Sequence, residues 1–272
     1  MLSEAYMNRF AGIGRLYGQA ALNAFAQTHV VVVGIGGVGT WVAEAFARSG
    51  IGQISLIDLD DICVTNTNRQ IHALAQTVGQ SKVEVMAKRI RDINPECQVN
   101  EIEDFITLDN LSEYFPRENN TSNSQQIDYV VDCIDAVKQK AGLIAHCKRN
   151  KIPIVTIGGA GGQTDPSQIQ VTDLAKTVQD PLLAKVRGIL RKEYGFSKNT
   201  ERRFAIDAVF STQHLVYPQA DGSVCVTKAT ADGSMRMDCA SGFGAVTMVT
   251  GTFGFMAASR VLAKISAKAC AK

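Results

Sequence analysis

HVVVVGIGGVG (29–39) decides the fold. Four valines run without interruption into Gly34, and Gly36, Gly37 and Gly39 follow before a segment of helical composition. An apolar run without polar alternation suits a parallel strand covered on both faces. Gly34, Gly36 and Gly39 form G-x-G-x-x-G at the strand-to-helix turn. There, glycines let backbone N–H groups approach phosphate oxygens, and the helix N-terminus stabilises the anion. Asp58 closes the next strand, QISLID (53–58), where a carboxylate can accept hydrogen bonds from ribose hydroxyls. These features predict nucleotide binding. Alone, they fit NAD as well as ATP.

The neighbouring segments extend the pattern. Residues 1–26 read as helical, and a helix is expected over 38–48. A helix over 82–93 stops at Asn94-Pro95, because proline disfavours helical backbone in the residue before it. A strand (98–103), a short helix (109–115), a polar loop (117–126), a strand within 127–135 and a helix (137–149) come next. PIVTIGGAGG (153–162) reads as a strand entering a second glycine-rich turn. This alternation predicts an α/β fold with a doubly wound, mostly parallel sheet. Beyond it, strands near 168–172, 206–210 and 223–228, a basic helix over 181–193 and a long helix from about 243 are less regular. The expected division is an ATP-binding core over 1–162 and a C-terminal extension over 163–272 packed on it.

Charge at the sheet's mouth favours ATP over NAD. DDICVTNTNRQ (60–70) follows the second strand and brings Asp60, Asn66, Asn68 and Arg69 near the glycine turn. Arg69 can hold phosphate oxygens with two parallel donors, and Lys82 opens the following helix. A triphosphate attacked at its α-phosphate needs more fixed positive charge than a dinucleotide's pyrophosphate. Asp132 and Asp135 end the fourth strand at the same edge, where a carboxylate could hold Mg²⁺. The expected nucleotide site is Gly34, Gly36, Gly37, Gly39, Asp58, Asp60, Asn66, Asn68, Arg69, Lys82, Asp132 and Asp135. Arg69, Lys82 and Asp135 are the expected catalytic residues.

The chain has 272 residues, 46% hydrophobic and 20% charged, with net charge +2. That is a globular composition, neither demanding nor excluding a nucleic-acid partner. The seven cysteines are scattered, none forms a CxxC pair, and MLSEAYMNRF has no apolar signal region. The expectation is a reducing cytoplasm, free thiols and no zinc. His29, His72, His146 and His214 show no metal spacing and read as structural or surface groups. Cys133 reads as strand packing, and Cys239 as an inert thiol or the remnant of a thioester-forming residue. Residues 239–259 carry no charge, so a buried or dimer-interface helix competes with membrane association. Lys185, Arg187, Arg191, Lys192, Lys198, Arg202 and Arg203 could track a phosphate backbone or form a solvated face.

GIGGVG (34–39), LIDLDDICVTNTNRQ (56–70), VGQSKVE (78–84), INPE (93–96) and VVDCIDA (130–136) together resemble the ubiquitin-activating-enzyme-like adenylyltransferases. The likeness covers about 9–160. It implies a homodimer with an ATP site in each crevice. By matching residues, Asp58 would bind ribose, Asn66, Arg69 and Lys82 would contact phosphates, and Asp135 would serve Mg²⁺. An arginine from the partner subunit is also implied; Arg9 or Arg15 could match, although the spacing departs from the family's pattern. The sulfur-carrier activators of this group usually bear CxxC pairs, which are absent here.

GGAGGQTDPSQIQVTDLAKTVQDPL (158–182), VYPQADGSVC (216–225) and MDCASGFGAVTMVTGTFGF (237–255) resemble instead the bacterial branch that cyclises threonylcarbamoyladenosine in tRNA. That implies an acyl-adenylate on the threonyl carboxylate, then ring closure with loss of water. It also implies a modified tRNA as substrate, with a cysteine desulfurase and its sulfur-acceptor protein as partners. The competing expectations are a carrier-protein activator, an NAD-dependent dehydrogenase and a membrane-tethered scaffold.

Overall fold

The computed structural model describes residues 2–116, 126–219, 221–226 and 243–271. Most of the polar loop expected at 117–126, part of the strand expected at 223–228, and Cys239 lie outside them. The N-terminal stretch forms two helices, α1 (Glu4–Tyr17) and α2 (Gln19–Gln27), not one. The break is Gly18, whose φ of +90° lies in the left-handed region that glycine tolerates. Ser3 caps α1 by accepting the Tyr6 N–H.

The expected alternation follows: β1 (His29–Val33), α3 (Gly39–Arg48), β2 (Gln53–Ile57), α4 (Lys82–Ile93), β3 (Gln98–Ile102), α5 (Leu111–Tyr114), β4 (Tyr129–Asp132), α6 (Val137–Arg149) and β5 (Ile154–Ile157). After β5 come β6 (Ile169–Asp173), α7 (Pro181–Glu193), β7 (Asp207–Ser211), the short β8 (Tyr217–Pro218) and β9 (Val224–Cys225), and α8 (Thr247–Cys270).

Seven strands form one sheet in the order β3-β2-β1-β4-β5-β7-β6. All its neighbours run parallel except β6, which is antiparallel to β7. The boundary expected at 162/163 does not break the sheet, because β6 and β7 continue it beyond β5. The valines of β1 are buried on both faces, as their unbroken run requires. One face packs chiefly on α2, α3, α4 and α8, the other on α5, α6 and α7. Strand order turns at β1 and β4. In open α/β sheets, ligands bind at the carboxyl ends of the strands at such a switch point.

The apolar C-terminal stretch is part of this core. Val249, Phe253, Ala257 and Val261 of α8 are fully buried. Their spacing of four places them on one helix face. A Cβ at Gly254 would stand 2.7 Å from the Cβ of Trp41 and 2.9 Å from the Val38 carbonyl, so glycine lets α8 close on the start of α3. Among the described residues no helix is long and apolar enough to cross a membrane. Of the two alternatives for 239–259, the buried helix is the one the described part shows, and a membrane span finds no support; residues 239–242 lie outside the described residues.

Candidate functional site

The turn after β1 can be made only by glycine. Gly34 has φ +88°, and a Cβ there would lie 3.1 Å from the Cys133 carbonyl oxygen. A Cβ at Gly39 would lie 1.8 Å from the Gly34 carbonyl oxygen, where no side chain fits. The backbone therefore doubles back and delivers α3 with its N-terminus at the mouth of the sheet.

Three side chains fix this turn from below. Asp58 Oδ2 accepts the Ile35 N–H at 2.6 Å, and its Oδ1 accepts the Asp60 N–H at 2.9 Å. Burial raises the Asp58 pKa, opposed first by the charge of Lys82. The Lys82 ammonium is 2.7 Å from Asp60 and 3.7 Å from Asp58. It is buried, so it is held by two carboxylates at the phosphate end of the crevice. His72, also buried, approaches the Ile35 carbonyl through Nε2 at 3.1 Å. Its other ring nitrogen finds no hydrogen-bond partner among the described residues.

Burial holds His72 neutral and, with the Lys82 charge adding, lowers its pKa to about 4 from 6.5. The unfolded chain thus binds an extra proton between these values. Stability is complete above the unfolded pKa and is lost as pH falls toward the folded one, by about 3 kcal/mol in all. His72→Gln should flatten the dependence of urea-denaturation stability on pH across this window. An equal slope in both proteins would remove His72 as its source.

Arg69 comes from the loop after β2. A short turn (Val64–Asn66) is closed by Asn66, whose side-chain oxygen accepts the Cys63 N–H at 2.9 Å. The Arg69 stem lies across Gly37, with Cγ and Cδ 3.3 Å from where a Cβ would sit. Its guanidinium donates to the Thr65 carbonyl (2.9 Å) and to Asn68 Oδ1 (3.0 Å). Asn68 in turn donates to the Ala245 carbonyl at 2.7 Å, tying the loop to the approach to α8. Trp41 Nε1 donates to the Arg69 carbonyl at 3.0 Å.

The two aspartates of β4 part company. Asp135 lies beyond the strand, exposed at the mouth just before α6. Asp132, expected beside it at the nucleotide, is sealed inside. It pairs across the sheet with Thr156, accepts that hydroxyl at 2.7 Å, and lies 3.0 Å from Lys140. Both members of this ion pair are fully buried. Lys140 also donates to the Asp132 and Ile134 carbonyls at 3.2 and 2.8 Å, bracing the turn that presents Asp135. Sequence reading missed Lys140 and Trp41, and took His72 as structural or surface without placing it under the glycine turn. The contacts of His72 with Ile35 and of Trp41 with the Arg69 carbonyl exist only once the chain is folded.

The mouth thus gathers the glycine turn, Asp58, Asp60, Arg69, Lys82 and Asp135 at the carboxyl ends of β2, β1 and β4. Asn66 and Asn68 shape the Arg69 loop. Of the seven basic residues at 185–203, Arg187 donates to Thr177 and Arg191 lies over the Phe204 ring at 5.4 Å. The other five face solvent. Among the described residues no group of three His, Cys, Asp or Glu side chains forms a metal cage.

The chain is similar to known proteins over nearly its whole length. The chain is 61% identical over 269 residues to the tRNA threonylcarbamoyladenosine dehydratase of Escherichia coli K12, covering 99% of this chain and 97% of that one. It is 59% identical over 265 residues to the enzyme of the same name from Haemophilus influenzae, covering 97% and 96%. The crystal structure of the E. coli dehydratase in complex with ATP superposes with a TM-score of 0.86 at 54% identity, covering 100% of this chain and 99% of that one. The family model described as ThiF family matches residues 8–272, and the chain belongs to that family.

Proposed function

We propose that this protein is an ATP-dependent enzyme that dehydrates threonylcarbamoyladenosine beside the anticodon of tRNA, closing it into a ring. The observation that carries this reading is the mouth of the sheet. There a glycine turn, an arginine laid across it and a buried lysine converge beside a solvent-facing carboxylate. The high identity to dehydratases over nearly the whole chain supports the substrate class.

In this reading ATP lies with its phosphates on the glycine turn and the N-terminus of α3. Asp58 keeps lone pairs for the ribose while it holds the Ile35 amide. A threonyl carboxylate oxygen attacks the α-phosphorus, the bond to the bridging oxygen breaks, and pyrophosphate leaves. Arg69 and Lys82 stabilise the charge that gathers on the phosphate oxygens. The carbamoyl group then attacks the acyl carbon, and the acyl–phosphate C–O bond breaks to release AMP. The second step is intramolecular, so its high effective molarity removes the need for an enzyme nucleophile. Mg²⁺ suits this donor set: it is commonly held by one carboxylate plus substrate phosphates, and Asp135 is the exposed carboxylate at the mouth. It would neutralise phosphate charge.

The outer face of α8 carries exposed Met248 and Phe255, followed by Ser259 and Ala263. This uncharged stripe is where a second copy of the chain would sit. Sedimentation velocity should give twice the 29.3 kDa chain mass, and a Phe255→Glu variant should sediment as a monomer. A wild-type monomer would end that part of the reading.

The decisive assay incubates the protein with ATP, Mg²⁺ and tRNA bearing threonylcarbamoyladenosine. Mass spectrometry of the nucleosides should show loss of one water, matched by AMP release. AMP formed only with a small protein ending in Gly-Gly would point to carrier activation instead.

A further inference from the structure

A cavity of about 530 Å³ opens at the edge of the sheet opposite the nucleotide mouth. Its position follows from topology. Tyr129, Ile154 and Asp207 begin β4, β5 and β7, and Asp173 ends the antiparallel β6. All four line the cavity together with Thr172, Arg203, Arg260 and Lys264.

The charges in this cleft do not cancel. Arg260 grips Asp207 in a two-pronged pair, at 2.7 and 3.0 Å. Asp173 accepts backbone N–H groups of Ala175, Phe204, Ala205 and Ile206, so its oxygens are fully employed. Lys264 is left 3.9 Å from the already engaged Asp207. Arg203 is exposed and makes no ion pair among the described residues. Three cations thus face two carboxylates that are already engaged. Arg203 and Lys264 are the surplus donors, with the Thr172 hydroxyl between strands.

We infer that this cleft is a binding site for a backbone phosphate of the tRNA, distant from the nucleoside being modified. The inference rests on the tRNA reading above and adds a surface to it. Its geometry suits a long polyanion. Helix α8 begins beside the nucleotide mouth, where Thr247 donates to the Asn68 carbonyl, and reaches Lys264 seventeen residues later. At 1.5 Å per residue that is about 25 Å, a distance that one RNA stem spans with several phosphates. Lys192, Lys198 and Arg202 are exposed on the last turn of α7 and in the segment that leads from it to Arg203 and β7.

The test measures tRNA binding by fluorescence anisotropy over a salt series, for the wild type and for Arg203→Glu with Lys264→Glu. The pair of reversals should raise the tRNA Kd about tenfold and lower the slope of log K against log salt by about 1 to 2. ATP binding, read from Trp41 fluorescence, should not change. Should the reversals lower the melting temperature, Arg203→Gln with Lys264→Gln should still reduce the slope by about 1. An unchanged slope in both pairs overturns the site. So does stabilisation of the wild type by inorganic phosphate, lost in the variants, with tRNA affinity unchanged; the cleft would then serve a free anion. Binding needs no turnover and can use unmodified tRNA. A failed dehydration assay and a failed phosphate site are therefore separate results.

Discussion

Arg69→Ala should lower the rate of AMP release with ATP and modified tRNA by about 10²- to 10³-fold while leaving the fold intact. The size of the effect follows from pre-organisation. The Arg69 stem already lies on Gly37, and its head is held by Thr65 and Asn68 before any nucleotide arrives. A cation fixed in this way stabilises transition-state charge without reorganising, which a mobile surface arginine cannot do. The fold should survive because the contacts that anchor this loop run through the Arg69 main chain. Its carbonyl receives Trp41 Nε1, and its N–H donates to Asn66. Trp41 is the sole tryptophan of the chain, so its emission can report ATP binding in the variant. The measurement is pyrophosphate and AMP release under saturating ATP. Wild-type turnover in Arg69→Ala would remove the phosphate role from this residue.

Lys140→Met should destabilise the protein by about 3–5 kcal/mol, because it strands a carboxylate in the core. Asp132 and Lys140 have no solvent exposure, and among the described residues the only cation that pairs with Asp132 is the one removed. For a chain of this size the loss corresponds to a fall in melting temperature of about 10 °C. Replacing both partners with apolar residues of similar volume should recover most of it, since the cost is an unpaired charge rather than a lost attraction. Calorimetry on the single and double variants separates the two accounts. A single variant melting with the wild type would show that Asp132 is held neutral without help. Lys140 also holds the Ile134 carbonyl, so AMP release should weaken in Lys140→Met even at temperatures where it remains folded.

Much of the architecture is legible in the chain because its signals are local. The valines of β1, the glycines after them and the aspartate closing β2 each dictate nearby backbone. The nucleotide mouth could be drawn from them. The fate of Asp132 is not local. Two aspartates three residues apart look alike in VVDCIDA. One is the last residue of a strand with its side chain turned into the sheet, and the other lies past the strand's end. Only the pairing of Asp132 with Thr156 distinguishes them. Lys140 is one lysine among several in α6, and its burial depends on how that helix sits over β4. The strands expected near 168–172 and 206–210 are β6 and β7, but their place in the sheet was not legible, because β7 lies parallel beside β5 while the earlier β6 closes the edge antiparallel, against chain order. The uncharged C-terminal stretch reaches the length of a membrane segment. What assigns it to the core is the fit of Gly251 and Gly254 against Trp41, a contact between residues over two hundred positions apart.

That contact couples α8 to the loop that carries Arg69. The Arg69 carbonyl is gripped by Trp41 from α3 and approached by Thr250 from α8, while Asn68 holds the Ala245 carbonyl. The loop that carries Arg69 is therefore clasped by a helix from the far side of the sheet order, and Thr247 closes the clasp by donating to the Asn68 carbonyl. Whatever loosens α8 from α3 is expected to loosen the arginine over the glycine turn with it, so ATP affinity should follow the packing of a helix that carries no phosphate-binding residue.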